Sequence, residues 1–360
     1  MALSFAPPMN PSYLADDVIA GMCANPGFGQ VFTDHMAVAS WARDTGWYND
    51  RLVGYAPVSL DPGGAVFHYA QEVFEGLKAY RHDDGSVWLF RPDANGARFA
   101  NSARRLALPE LPVSDFVTSV RQLVTLDARW VPGGAEQSLY LRPFMMASEV
   151  FLGVRPARSV VYAVIASPVG SYFAGGVSPV DIWVSTEYSR VAAGGTGAAK
   201  CGGNYAASLL PQELAGTHGC SQVLFLDAAE RRWIEELGGM NFFMITRHDE
   251  LVTPELNGNI LPGVTRDSLL KVAQTLGLTP VERPISLEEV LQGIRSGDIR
   301  ELFACGTAAV ITPIRSLCTD SEQFVIDTAA ATHTIPLRDH LLDIQYGRVP
   351  DEHGWMQRVC

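Results

Sequence analysis

The chain is 360 residues long, with 47% hydrophobic and 18% charged residues and a formal net charge of −12. That length favours two domains over a single core, and the composition is that of a compact enzyme-like protein, not a disordered chain. The negative charge argues against nucleic-acid binding and against docking on anionic membranes.

In chain order, the residues up to about Gly54 mix Pro, Gly and aromatics with little periodicity. The segment Tyr69 to Tyr80 follows, and Asp83-Asp84-Gly85 reads as a turn between two strands. Helical spacing of apolar residues predicts helices over Ala94–Leu106 and Asp115–Trp130, the second with Ser114 as N-cap. Val160–Ser167 reads as a buried strand. The stretch Pro168 to Gly176, closed by Pro179, reads as an interdomain connection.

Four strands are predicted next, at Asp181–Thr186, Gln222–Leu226, Arg232–Leu237 and Met240–Ile245. Arg266–Leu276 reads as a helix stopped by Gly277, and Ser286–Ile294 as one opened by a capping box of Ser286 and Glu289. Strands and helices in both halves predict a mixed α/β (or α+β) protein with domains at 1–169 and 180–360, joined by 170–179. Apolar runs such as Val160 to Ala166 are too short to span a bilayer, and no signal-peptide pattern is visible. Six cysteines without Cys-x-x-Cys spacing predict reduced thiols and a cytoplasmic location.

The segment that carries most chemistry is Gly194-Gly195-Thr196-Gly197-Ala198-Ala199-Lys200-Cys201-Gly202-Gly203-Asn204-Tyr205. Only Lys78, Lys200 and Lys271 are lysines; every other basic residue is Arg. A Lys kept in such a chain points to a need for a nucleophilic primary amine, which a guanidinium cannot supply. The surrounding glycines let a large group approach closely. Together these features suggest covalent chemistry through a Schiff base. A phosphate-binding P-loop is disfavoured by Ala199 and Cys201, and a dinucleotide fingerprint by its missing third glycine. A flexible loop bearing one surface Lys stays open on this segment alone.

A Schiff-base enzyme using pyridoxal phosphate needs an amine, an electron sink, a phosphate anchor and substrate recognition. Glu235 and Glu236 lie together on a predicted strand before Gly238-Gly239, and adjacent strand residues face opposite ways, so one of them can enter a site. Leu261-Pro262-Gly263-Val264-Thr265-Arg266 opens a helix, Cys305 to Ala309 is a small-residue turn, and Arg98 is a candidate anion partner. Each of these has an ordinary structural reading as well.

Seven segments in order resemble the branched-chain amino-acid aminotransferases, of the fold-type IV class of pyridoxal-phosphate enzymes. They are Tyr69 to Tyr80, Arg91 to Leu106, Tyr140-Leu141-Arg142-Pro143, Gly194 to Tyr205, Glu236 to Phe242, Leu261 to Arg266 and Gly306-Thr307-Ala308. The resemblance extends from Phe28 to Met356. It implies a smaller N-terminal α/β domain and a larger C-terminal pseudo-barrel domain carrying the Schiff-base lysine.

The resemblance makes Lys200 that lysine and the proton shuttle, Glu236 the acid paired with the pyridine nitrogen, with Glu235 facing away, and Tyr205 the phenol on the cofactor hydroxyl. It assigns the phosphate to Arg98, Val264, Thr265 and Thr307. The apolar substrate side chain falls to Phe28, Tyr69, Phe74 and Tyr172, and the α-carboxylate to Tyr140, Thr307 and Ala308. Arg142 would meet the γ-carboxylate of glutamate. The implied activity is ping-pong transamination between L-leucine, L-isoleucine or L-valine and 2-oxoglutarate by a homodimer, without metal. Rival activities within the class are D-amino-acid transamination and aminodeoxychorismate cleavage; a catalytically dead relative is disfavoured because every carried-over position is filled. Ala309 and Thr312 stand where some relatives have a redox Cys-x-x-Cys, so no such switch is expected. Gly239 stands where some have Thr, which removes one expected hydrogen bond.

Overall fold

A computed structural model describes residues 2–170, 177–328 and 331–360. The contacts divide the chain into two compact units. The first holds helices α1 (Asp16–Ala24), α2 (Ala65–Tyr69), α3 (Pro92–Arg105) and α4 (Val113–Leu126). Its strands are β1 (His35–Ala42), β2 (Gly46–Gly54), β3 (Glu72–Phe74), β4 (Leu77–Arg81), β5 (Val87–Phe90), β6 (Ser138–Ala147) and β7 (Ser159–Val169). The second unit holds β8 (Val180–Ser185), β9 (Gln222–Leu226), β10 (Ile234–Leu237), β11 (Asn241–Thr246), β12 (Glu250–Thr253), β13 (Thr279–Glu282), β14 (Ile299–Gly306), β15 (Val310–Cys318) and β16 (Gln323–Val325). Helices α5 (Gly202–Thr217), α6 (Val264–Val272), α7 (Leu287–Ser296) and α8 (Thr334–Gln345) follow in chain order, and β17 (Met356–Arg358) is the last element.

The first unit is an antiparallel sheet in the order β17-β5-β4-β6-β7-β1-β2, with β3 on β6. Its core joins Leu77, Leu139, Leu141, Tyr162 and Val164 from the sheet to Phe99 and Ala103 of α3 and Phe116, Val120 and Leu123 of α4. In the second unit the order β10-β9-β8-β15-β14-β11 returns to β10 through a β10–β11 pairing, which closes six strands into a barrel. Closure removes free edges and leaves strands buried on both faces, as the run Asn241–Ile245 is. The architecture is mixed α/β.

The expected division is a single cut in sequence, but the packing returns to the first unit twice. Residues 199–202 cluster there, as do residues 343–360, whose β17 extends the sheet beside β5. Much of the expected connection, 171–176, lies outside the described residues. No helix among the described residues is long and apolar enough to cross a membrane.

Several elements differ from expectation. Residues 35–54 form the β1–β2 hairpin, with a register shift between Val38 and Ser40 that breaks the alternation. The N-cap of α4 is Pro112, whose carbonyl accepts from Asp115 and Phe116 N–H (3.0 and 2.9 Å), so Ser114 lies inside the first turn. The expected long helix ends at Leu126, because Asp127 turns its carboxylate to the His35 N–H and ring Nδ1 (3.0 and 2.6 Å). Ser286 caps α7, but only half of the expected box forms: Ser286 Oγ accepts the Glu289 N–H (3.1 Å), while the Glu289 carboxylate pairs with Arg283.

Candidate active site

In the first unit Lys200 is fixed through its backbone. Its N–H donates to Ser102 Oγ on α3 (2.9 Å), and its carbonyl accepts the Phe74 N–H at the end of β3 (3.0 Å). Ala199 and Cys201 on either side are buried in the first unit's core, and the Gly202 N–H donates to the Glu72 carboxylate. The Lys200 Nζ lies 4.9 Å from the centroid of the Phe74 ring.

Glu75, beside Phe74, is fully buried. It accepts from Arg98 Nε and Nη2 (2.7 and 2.9 Å), Asn95 Nδ2 (2.8 Å) and the Gly76 N–H (3.1 Å). Burial pushes its carboxyl up, but the Arg98 charge and hydrogen bonds, the Lys200 charge and Asn95 outweigh that. Glu75 is held below the ordinary carboxylate range. The bidentate pair also fixes the plane of the Arg98 guanidinium.

Phe28, Phe74, Tyr140 and Arg142 form one group in this unit. The Phe28 and Tyr140 ring centroids are 5.1 Å apart, and the Arg142 guanidinium lies 4.8 Å from the Phe74 ring and 5.4 Å from the Tyr140 ring. Arg142 Nη2 donates to Tyr140 Oη (3.1 Å), while its buried Nε meets no acceptor among the described residues. Gly76 is required here, since a Cβ on it would overlap the Tyr140 hydroxyl. Tyr69 is placed elsewhere: its hydroxyl donates to the Leu152 carbonyl. Tyr172 lies outside the described residues.

In the second unit Glu235 and Glu236 are both buried, not solvated. Glu236 Oε1 lies 2.5 Å from Arg190 Nη2 and accepts the Leu261 N–H (3.1 Å), and Oε2 accepts Asn241 Nδ2 (3.1 Å). Glu235 takes Asn259 Nδ2 instead (2.6 Å), and burial pushes its carboxyl up. The β10–β11 turn gathers the other residues. A Cβ on Gly239 would meet Tyr205 Cε1 at 3.6 Å, and one on Gly306 would lie 3.6 Å from the Gly239 carbonyl oxygen. Thr307 and Ala308 sit in the β14–β15 turn that follows Gly306.

Val264 and Thr265 are the first residues of α6, where N–H groups point along the helix axis outside the helix's own hydrogen-bond ladder. Gly263 before them packs against Asn241, whose side-chain oxygen a Cβ would overlap.

Arg190, Glu75, Asn241 and Ser102 are the members that the sequence motifs do not single out. An acid inside the apolar run Val73–Leu77 is the available signal for Glu75, because a buried carboxylate requires a cationic partner. Arg190 stands outside the glycine run and carries no local signal.

The sheet-plus-barrel fold matches a known class. The amino-transferase class IV family model matches residues 72–317. The chain belongs to the class IV aminotransferase family. The branched-chain-amino-acid aminotransferase of Mycobacterium tuberculosis is 54% identical over 343 residues, covering 94% of this chain and 93% of that protein. Among solved structures, the branched-chain amino acid aminotransferase of Escherichia coli aligns with a TM-score of 0.75 at 27% identity, over 90% of this chain and all of that one. The branched-chain aminotransferase of the thermophilic archaeon Thermoproteus uzoniensis, solved with norvaline, aligns with a TM-score of 0.73 at 25% identity, over 90% of this chain and all of that one.

Proposed function

We propose that this protein is a branched-chain amino-acid transaminase that uses pyridoxal phosphate and acts as a cytoplasmic homodimer. It would move the amino group of L-leucine, L-isoleucine or L-valine to 2-oxoglutarate, giving the 2-oxo acid and L-glutamate. The observation that carries the substrate reading is Arg142, held against the Phe74 and Tyr140 rings with Phe28 beside Tyr140. Aromatic walls suit an aliphatic side chain, and a guanidinium with an unsatisfied donor suits the second carboxylate of glutamate.

The donor set of the second unit fits the cofactor. Glu236 offers a carboxylate for the pyridine nitrogen, Tyr205 a phenol for the ring hydroxyl, and Val264, Thr265 and Thr307 donors for the phosphate. In the first unit Arg98, oriented by Glu75, offers a fixed positive charge that would suit a phosphate. When bound, pyridoxal phosphate supplies a carbonyl that condenses with amines and a ring that accepts electron density from the substrate Cα. Lys200 would hold that carbonyl through its Nζ amine and, once released, would accept the proton from the substrate Cα on Nζ and deliver it to the former carbonyl carbon. The α-carboxylate would fall to Tyr140 of the first unit and to the Thr307 and Ala308 N–H groups of the second.

The homodimer reading is supported by exposed apolar side chains of the first unit, Phe67, Val150, Leu152 and Val154, with Tyr69 tied to Leu152. The cytoplasmic reading is supported by six cysteines without any Cys-x-x-Cys spacing.

The test compares both half-reactions in wild type and Arg142→Met. Wild type should act on L-leucine and not on D-alanine. Arg142→Met should lose roughly 10- to 100-fold in kcat/KM for 2-oxoglutarate, the scale of one hydrogen bond to a charged group, and much less for L-leucine. Equal losses on both, or activity confined to D-alanine, would overturn the substrate reading.

A further inference from the structure

Arg190 is buried in the second unit, and one of its guanidinium nitrogens meets three oxygens. Nη2 lies 2.5 Å from Glu236 Oε1, donates to the Gly197 carbonyl (3.2 Å), and donates to the Asn259 carbonyl. Gly197 belongs to the run leading into Lys200, and Asn259 precedes the Leu261–Thr265 segment. The two backbones are pressed together at this point: a Cβ on Gly197 would overlap the Asn259 main chain. Asn259 in turn holds Glu235 through its side chain, so Arg190 stands between both acids of β10.

We propose that Arg190 is a positioning residue for the cofactor: it keeps Glu236 an oriented carboxylate, so that the proton shared with the pyridine nitrogen stays on the ring. The inference rests on the cofactor reading above.

The physical argument has two parts. A carboxylate enclosed as Glu236 is would favour its neutral form by desolvation, and a cation at hydrogen-bond distance reverses that preference. With Arg190 present, the carboxylate and the protonated ring form the stable pair. Without it, the balance moves toward a neutral carboxylic acid facing an unprotonated ring, a poorer electron sink. Other titratable groups bearing on this pair include Glu235, which Asp227 and Arg190 both influence, and Cys305, which feels Arg266 and Glu236. Arg190 stands at salt-bridge distance from Glu236. The second part is geometric. Glu236 is also fixed by Leu261 and Asn241, and Arg190 adds the link to the glycine run. The two N–H bonds of Nη2 are shared among three oxygens, and the planar guanidinium fixes their directions where an ammonium on a flexible stem would not.

The experiment reconstitutes wild type, Arg190→Met and Arg190→Lys with pyridoxal phosphate labelled with nitrogen-15 in the ring. It reads the ring-nitrogen resonance and the cofactor dissociation constant. Wild type should show a protonated ring nitrogen. Arg190→Met should shift that resonance toward the unprotonated position and release the cofactor roughly 10- to 100-fold more readily, the scale of one lost charge-assisted hydrogen bond. Arg190→Lys should keep the ring protonated while still loosening retention. An unshifted resonance with unchanged retention in Arg190→Met overturns the inference. If Arg190→Met does not fold, Arg190→Lys decides: looser retention supports the inference, and retention equal to wild type overturns it. A wild type that takes up no cofactor would instead overturn the cofactor reading itself.

Discussion

A primary amine and a guanidinium carry the same charge, but only the amine attacks a carbonyl at ordinary pH. Lys200 is placed accordingly: its backbone is stitched to Ser102 and Phe74, and its Nζ lies over an aromatic ring. Lys271, in contrast, is exposed and pairs with Asp267 on the helix surface (2.8 Å). Lys200→Ala should therefore lower turnover by several orders of magnitude, while Lys271→Ala should leave it within about 2-fold, since exposed helical pairs contribute only a few tenths of a kcal/mol. Steady-state transamination assays of both variants check this, and near-normal turnover in Lys200→Ala contradicts it. Which residues offer an amine, a carboxylate or a phenol is legible in the sequence, because those groups sit in short motifs such as Gly194–Tyr205 and Glu236–Phe242. Their partners are not. Glu75 and Arg190 gain meaning only when tertiary packing sets Arg98 against the one and Glu236 against the other.

Helices that stop at a glycine are legible for the same local reason. Gly277 and Gly297 close their turns at φ of 78° and 76°, a region that costs most other residues strain. Ser286 caps α7 while Glu289 is committed to Arg283, so the cap can be tested at Ser286 alone. Ser286→Ala should cost about 1 kcal/mol by denaturant unfolding, as loss of a side-chain cap does; a loss below about 0.3 kcal/mol would contradict the assignment. Helix α5 escapes the sequence signals because Gly202, Gly203 and Pro211 all lower helix propensity, and the fold overrides them.

The loop between β6 and β7 carries an acid-sensitive clasp. Hydrogen bonds from Arg155 and the Arg158 N–H hold Glu149 down to about 2. A carboxyl depressed in the folded state stabilises fully above its ordinary value of 4.5, and that contribution is lost as pH falls toward 2. Glu149→Gln should therefore flatten the fall of Tm across that window, and an unchanged slope would contradict the clasp.

For the whole molecule, the alternation of strands and helices gives the mixed α/β class from sequence, and buried runs such as Val160–Ser167 give strands at or near their observed positions. Barrel closure is different in kind. It depends on the β10–β11 pairing of Glu236 with Asn241 and on β11 lying beside β14, contacts whose partners no local pattern specifies. The return of residues 343–360 to the first unit is likewise set by β17 finding β5. We propose that Lys200 and Arg142 of the first unit and Glu236 of the second serve amino-group transfer from branched-chain amino acids. The most direct test is the absorbance spectrum of the purified protein loaded with pyridoxal phosphate, before and after L-leucine is added without any oxo acid. The account predicts a visible band that bleaches on addition and returns with 2-oxoglutarate. A protein that shows no band, or a band that L-leucine leaves unchanged, would contradict it.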